Sequence, residues 1–266
     1  MPVTYKDQLC QRVTIVARPQ RIISLVPSQT ELLHDLGLGE RVVGITKFCI
    51  HPTEWHRTKV RVGGTKKLDP ERIRSLLPDL IICNKEENTR EEIASLQQEF
   101  PVWCSDVRDL GSAIEMILSV GMITGTTDRA QRMAGEISDA FARLRPLPEM
   151  DTAYLIWRQP YMVAGPDTFI NDMLRRCGMR HPFQSSGSRY PEATPELLRL
   201  AAPSIVLLSS EPYPFKEEHV LEIRTILPNA LIMLVDGTYF SWYGSRLLHA
   251  PAYFQSVIES IKTDAE

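Results

Sequence analysis

Asp69-Pro70-Glu71-Arg72-Ile73-Arg74-Ser75-Leu76-Leu77-Pro78-Asp79-Leu80-Ile81-Ile82 returns later as Thr194-Pro195-Glu196-Leu197-Leu198-Arg199-Leu200-Ala201-Ala202-Pro203-Ser204-Ile205-Val206-Leu207. Each copy opens with a capping side chain, then Pro at the first helical position and Glu facing the positive helix end. A second Pro stops the helix, and an apolar run follows that reads as a buried strand. A second echo pairs Glu31-Leu32-Leu33-His34-Asp35-Leu36-Gly37-Leu38 with Asp172-Met173-Leu174-Arg175-Arg176-Cys177-Gly178-Met179. Two matches in the same order argue for two lobes of one design.

Working outward, Arg21–Val26 reads as a buried strand ended by Pro27-Ser28. A helix is expected over about Gln29–Leu36, with Gly37 as its C-cap, and Val42–Ile45 is the next strand. Leu80–Cys83 follows the Pro70 helix as a further strand. Strands alternating with helices predict an α/β fold with mostly parallel, Rossmann-like sheets. Between the halves, Met133, Ile137, Phe141 and Leu144 keep helical spacing over Thr127–Leu144, ended by Pro146 and Pro148. The expected organisation is an N-terminal lobe over 1–126, one long connecting helix over 127–145, and a C-terminal lobe over 146–266.

Composition is that of a globular protein: 266 residues, 43% hydrophobic, net charge -3. With no basic run beyond Lys66-Lys67, a nucleic-acid partner is not expected. No apolar stretch is long enough to span a bilayer. Met1–Arg12 is polar and carries no secretory h-region, an expectation that leaves a cytoplasmic location open. The five cysteines are widely spaced without a CxxC, so buried free thiols are expected rather than a disulfide framework or structural zinc.

In open α/β sheets, ligands bind beyond the carboxyl ends of the strands. That rule selects Pro27, Ser28, Phe48, Cys49 and His51, then Asn84, Lys85, Glu86 and Glu87, in the first lobe. In the second it selects Trp157, Arg158, Tyr161, Tyr190, Tyr239, Trp242, Tyr243 and Arg246. Aromatic walls with a few polar groups suit a large ringed ligand, although aromatics also cover cores in any fold. Cys49 and His51, two apart on an extended segment, would share a side and could ligate a soft metal, but a full site needs three or four ligands. Asn84–Asn88 reads equally as a hydrogen-bonding loop for a ligand and as a solvated turn capping the next helix through Asn88 or Thr89. No phosphate loop, HExxH, GxSxG or Rossmann glycine fingerprint occurs, so an enzyme is not expected; a metal-dependent enzyme using Cys49, His51 and Glu86 is the distant alternative.

The chain resembles the periplasmic binding proteins of vitamin B12, haem and iron-siderophore ABC importers. The resemblance rests on Arg21–Leu33, Leu68–Ile82, Ala164–Gly178 and Trp242–Arg246, in that order. It implies two α/β lobes joined by a single long helix, with a corrinoid, haem or metal-chelate ligand captured between them. It also implies envelope localisation, a monomer, no intrinsic cofactor beyond a metal-containing ligand, and delivery to an ABC permease. Glu71 and Glu196 match the family's permease-docking glutamates, although each also complements its own helix N-terminus. Cys177 matches a cysteine that is disulfide-bonded in vitamin B12-binding members, whose partner position here is Gln255. Acidic contacts of those members are replaced within Asp236–Arg246, and an expected aromatic is Thr65. A cytosolic carrier or sensor of such a ligand, with no permease, is the alternative.

Overall fold

The computed structural model describes residues 2–183 and 187–264. Contacts divide the chain into two units: Met1–Val107 with Gly111–Ser138 and Trp242–Leu248, and Arg108–Leu110 with Asp139–Ser241 and His249–Glu266. Among the described residues no helix is long and apolar enough to cross a membrane.

Unit 1 begins with a hairpin, β1 (Val3–Lys6) against β2 (Arg12–Ile15), antiparallel with Val3 opposite Ile15. There follow β3 (Ile22–Ser24), α1 (Pro27–Asp35), β4 (Val42–Ile45), α2 (Thr53–Thr58), β5 (Val60–Arg61) and α3 (Pro70–Ser75). Then come β6 (Leu80–Asn84), α4 (Arg90–Gln97), β7 (Val102–Ser105), α5 (Leu110–Thr124) and α6 (Thr127–Ala142). The sheet has the order β5-β4-β3-β6-β7, and every neighbouring pair is parallel. Every residue of β3 and β6 is buried, as expected of parallel strands covered on both faces. Ile23, Ile73, Ile81 and Val102 belong to the core of this unit.

Unit 2 holds β8 (Met150–Trp157), β9 (Met162–Val163), α7 (Phe169–Arg176), β10 (Met179–Arg180), α8 (Pro195–Ala201) and β11 (Ile205–Ser209). It continues with α9 (Glu217–Ile226), β12 (Leu231–Val235), α10 (Gly237–Ser241) and α11 (Ala250–Asp264). Its parallel order β10-β8-β11-β12 repeats β4-β3-β6-β7, and β9 pairs antiparallel with β8. The fold is therefore α/β with mostly parallel sheets in both units.

The repeat reaches the backbone. Asp69 accepts the Arg72 N–H at 3.0 Å and Thr194 accepts the Leu197 N–H at 3.3 Å, each capping its helix. Past these helices, Leu77 and Ala202 both take positive φ, 45° and 42°, immediately before a proline. Gly37 (φ 77°) and Gly178 (φ 81°) end α1 and α7, donating to His34 and Arg175 carbonyls at 2.8 and 3.0 Å.

Three details differ from the sequence reading. First, Pro27 starts α1 instead of ending a strand, because a first-turn proline forfeits only an N–H that has no helical partner. Second, α6 stops at Ala142, so Leu144 falls outside it; Met133, Ile137 and Phe141 do form its buried stripe. The division between units falls inside this helix, after Ser138. Third, Trp242–Leu248, expected in the second lobe, belongs to unit 1.

Candidate ligand-binding site

At the carboxyl ends of the unit 1 strands, Phe48 and Ile50 follow β4 with 51% and 50% of their surface exposed. Large apolar side chains left in water at a strand end are what a ligand surface needs. Nearby, the His51 ring meets Trp242 edge-on at 5.8 Å, and the Arg246 guanidinium lies over the Trp242 ring at 4.5 Å. Arg246 reaches Glu31 on α1 through Nε (3.0 Å) and Nη2 (2.7 Å). This two-point pair ties the 3-10 turn Ser245–Leu248 to α1. Gly244, at φ 146°, lets the turn approach: a Cβ there would sit 3.0 Å from the Ser28 carbonyl. Trp242, Tyr243 and Ser28 are all buried, so they support this face more than they present it.

Cys49 is not placed to bind a metal. It is fully buried, and its Sγ is 3.1 Å from both the Thr30 and Thr46 hydroxyls. Burial pushes its thiol pKa up, so the thiolate a metal requires is disfavoured. Among the described residues no group of three or more His, Cys, Asp or Glu side chains could hold an ion.

The Asn84–Asn88 loop is also internally committed. Asn84 is buried; its Nδ2 donates to Ser105 Oγ (2.9 Å) and its Oδ1 accepts the N–H groups of Glu86 and Glu87. Asn88 accepts the Asn84 N–H at 2.9 Å and donates to the Thr65 carbonyl, so it closes the loop and does not cap α4. Thr89 is the N-cap residue but makes no side-chain cap bond. Lys85 pairs with Asp106 at 2.8 Å, and the Glu86 carbonyl accepts from Lys66. Gln29, expected only as the first residue of a helix, is wholly buried beside them. Its Nε2 donates to Ser105 Oγ at 2.6 Å, while its Oε1 has no hydrogen-bond partner among the described residues.

In unit 2, Trp157 ends β8 with 42% of its surface exposed and meets Tyr213 edge-on at 5.9 Å. Arg158 contacts the Glu222 carboxylate through Nε (3.1 Å) and Nη2 (3.0 Å), and the Tyr161 hydroxyl donates to the same carboxylate. Burial pushes the Glu222 pKa up, but the bonds from Tyr161 and Arg158 outweigh it and hold the carboxyl below its usual range. Burial, then the adjacent Glu222, push the Tyr161 phenol up. Lys216 N–H donates to His219 Nδ1 (2.8 Å), so the neutral ring carries its proton on Nε2, 3.0 Å from the Tyr213 oxygen. Glu222, Tyr213 and His219, which surround Arg158 and Tyr161, were not legible as their neighbours; on the sequence Glu222 resembles any solvated helical glutamate.

Tyr239 stacks on Tyr253 at 4.4 Å and 17°, which places it in the aromatic packing around α10 and α11. Tyr190 is half-buried, and its N–H donates to Ser188. Glu71 and Glu196 occupy the first turns of α3 and α8, both exposed; Glu196 is 79% exposed and bonds with its own N–H and Thr194, with Arg199 at a long 3.8 Å. Cys177 is a free, buried thiol, and Gln255 instead accepts the Arg145 N–H at 3.2 Å.

The repeated α/β fold carries exposed aromatics, Phe48 and Trp157, beyond the carboxyl ends of its strands. The model of the periplasmic binding protein family matches residues 22–225, and the chain belongs to that family, whose members are binding proteins and not enzymes. A vitamin B12-binding protein of Pectobacterium carotovorum subsp. carotovorum (strain PC1) is 24% identical over 244 residues, covering 88% of this chain and 86% of the relative. An uncharacterised ABC transporter substrate-binding lipoprotein of Bacillus subtilis (strain 168), YvrC, is 31% identical over 186 residues, 65% of this chain and 58% of that one. Among solved structures, the periplasmic heme-binding protein RhuT from Roseiflexus sp. RS-1 superposes with a TM-score of 0.78 at 22% identity, covering 93% and 99% of the two chains.

Proposed function

We propose that this chain is the substrate-binding component of an ABC importer and that its ligand is a corrinoid, a haem or a similar metal chelate. The observation that carries this is the exposure of Phe48 and Ile50 after β4 and of Trp157 after β8, all at strand carboxyl ends. A flat macrocycle would suit either surface, with His51 as a polar neighbour of the first and Arg158 of the second. Membership of the periplasmic binding protein family and the vitamin B12- and haem-binding relatives support the ligand class. Any metal arrives inside the ligand, held by its own chelating atoms. Glu71 and Glu196 are the proposed contacts with permease subunits, since both are exposed carboxylates at equivalent positions of the repeat. The chain acts as a monomer in this scheme.

The test is a thermal-unfolding series with cyanocobalamin, haemin and a ferric siderophore, paired with native mass spectrometry of the purified protein. A ligand at a hundredfold its Kd stabilises by about 2.7 kcal/mol, a clear rise in Tm. No rise with any of the three at saturation, and no co-purifying chelate, overturns the proposal.

A further inference from the structure

A cavity of about 570 Å³ in unit 1 is lined by Arg18, Arg41, Arg129 and Arg132 but by a single carboxylate, Asp128. It opens beside Leu36–Gly37 at the end of α1 and Gly125–Thr127 at the junction of α5 and α6. This is the amino-end side of the unit 1 sheet, because α1 runs back from the carboxyl end of β3 to the start of β4. It is therefore separate from the strand-end face described above.

The arginines have a structural duty. Arg18 donates to the Thr124 and Gly125 carbonyls (3.1 and 2.7 Å), Arg41 to Thr124 and Pro19 (2.9 and 3.1 Å), and Arg129 to Leu36 (3.1 Å). They cap the carboxyl ends of α1 and α5. Capping does not exhaust them, however. A guanidinium carries five N–H donors; Arg129 uses one here and Arg18 two. Two helix carboxyl ends offer about half a negative charge each. Set with Asp128 and with Asp79, which acts on Arg41, against four guanidiniums, they leave about one positive charge uncompensated, in a chain whose net charge is -3. Burial and then the charge of Arg18 lower the pKa of Arg41 and outweigh the opposing pull of Asp79, so Arg18 and Arg41 repel each other. Two glycines make room for it: a Cβ on Gly37 would lie 1.7 Å from Arg129 Nη1, and one on Gly125 2.7 Å from Arg18 Nε. The amino end of the 16-residue α6 adds further partial positive charge.

We infer that this arginine-lined cavity is a binding site for a phosphate group, either free phosphate or the phosphate of a lipid headgroup. Forked guanidiniums match phosphate oxygens in pairs, and the volume lies within the range of small-molecule sites, roughly 300–1,000 Å³. An oxyanion would offset the residual charge and relieve the repulsion between Arg18 and Arg41.

The experiment uses the full chain at low ionic strength, where surface charge is least screened. Inorganic phosphate is titrated by calorimetry, and the protein is co-sedimented with phosphatidylcholine vesicles with and without phosphatidylglycerol. The variant is Arg132→Glu, since Arg132 is exposed and has no side-chain partner among the described residues; Arg224→Glu on α9 is the charge-matched control. Saturable phosphate binding that weakens at least tenfold in Arg132→Glu and is unchanged in Arg224→Glu supports a free-phosphate site. Binding only to phosphatidylglycerol vesicles with the same variant pattern supports a headgroup site. Binding of neither probe, or equal weakening in both variants, overturns the inference.

Discussion

Arg246 and Glu31 stand 215 positions apart in sequence and meet through two charge-assisted bonds of 3.0 and 2.7 Å, with 14% and 19% of their side chains exposed. The pair holds a late segment, Trp242–Leu248, in the first unit. Removing one partner leaves the other charge mostly out of water, which costs more than the pair contributes net. Arg246→Ala and Glu31→Ala should each lower unfolding free energy by about 1–3 kcal/mol. The double variant should lose clearly less than the sum, because it strands no charge. Additive losses in urea denaturation would show that the two side chains act separately.

This pair also shows what the sequence could disclose. The repeat was legible because cap, Pro, Glu and stop signals are local: Asp69 and Thr194 declare their helices within four residues. Gly37 and Gly178 declare theirs by a conformation that favours glycine. The place of Trp242–Leu248 was not legible, since it depends on a carboxylate 215 residues away. The strands β5, β9 and β10 have two residues each, too few to show any periodicity. Strand-end reasoning proposed Trp157, Arg158 and Tyr161, which the structure sets close together, but it did not name Glu222, which joins the last two from another element. It misjudged Cys49, because alternation along a strand does not extend into a turn where Thr30 and Thr46 draw the sulfur inward.

The two repeat glycines should differ in their response to substitution. Both have positive φ, so alanine costs each about 1 kcal/mol in backbone strain. A Cβ on Gly178 would meet the Leu147 carbonyl oxygen at 2.2 Å, a backbone atom. At Gly37 the obstacle is the tip of the Arg129 side chain, which can swing away. Gly178→Ala should therefore destabilise by more than Gly37→Ala in thermal unfolding. Equal losses, or a larger one at Gly37, would count against this account.

Thiol reactivity should separate the five cysteines. Only Cys10 is exposed, whereas Cys49, Cys83, Cys104 and Cys177 are buried. Burial raises the Cys177 pKa to about 12, and Cys49 and Cys83 are raised as well, Cys83 first through its bond with Cys104. One thiol should react quickly with an aromatic disulfide reagent in the native state, and all five only after unfolding. Cobalt(II) should produce no thiolate charge-transfer band before denaturation. A native band that disappears in Cys49→Ser would reinstate Cys49 as a ligand.

Glu71→Ala with Glu196→Ala should leave ligand affinity unchanged while weakening capture by permease-containing membranes. Each glutamate is exposed in a first helical turn, so its loss should cost at most about 1 kcal/mol of stability. For Glu196, hydrogen bonds from its own N–H and from Thr194 lower the carboxyl pKa, consistent with a carboxylate charged throughout the neutral range. Ligand affinity that falls together with capture would remove both residues from the docking role.

The Arg158–Tyr161–Glu222 cluster should make part of the stability of unit 2 dependent on acid. The folded Glu222 pKa is depressed, because the bonds from Tyr161 and Arg158 overcome the upward push of burial. A depressed carboxyl contributes stability that is present above its unfolded pKa, about 4.3, and is lost as pH falls through the folded value. Glu222 is 36% exposed, so solvent screening keeps that contribution below about 1 kcal/mol. In urea unfolding, the difference between the protein and Glu222→Gln should thus be visible at pH 7 and shrink below about pH 4. Tyr161→Phe should narrow it at pH 7, since the phenol can no longer donate to the carboxylate. A difference that is constant from pH 7 to pH 3 would mean that the charge of Glu222 does nothing for the folded state.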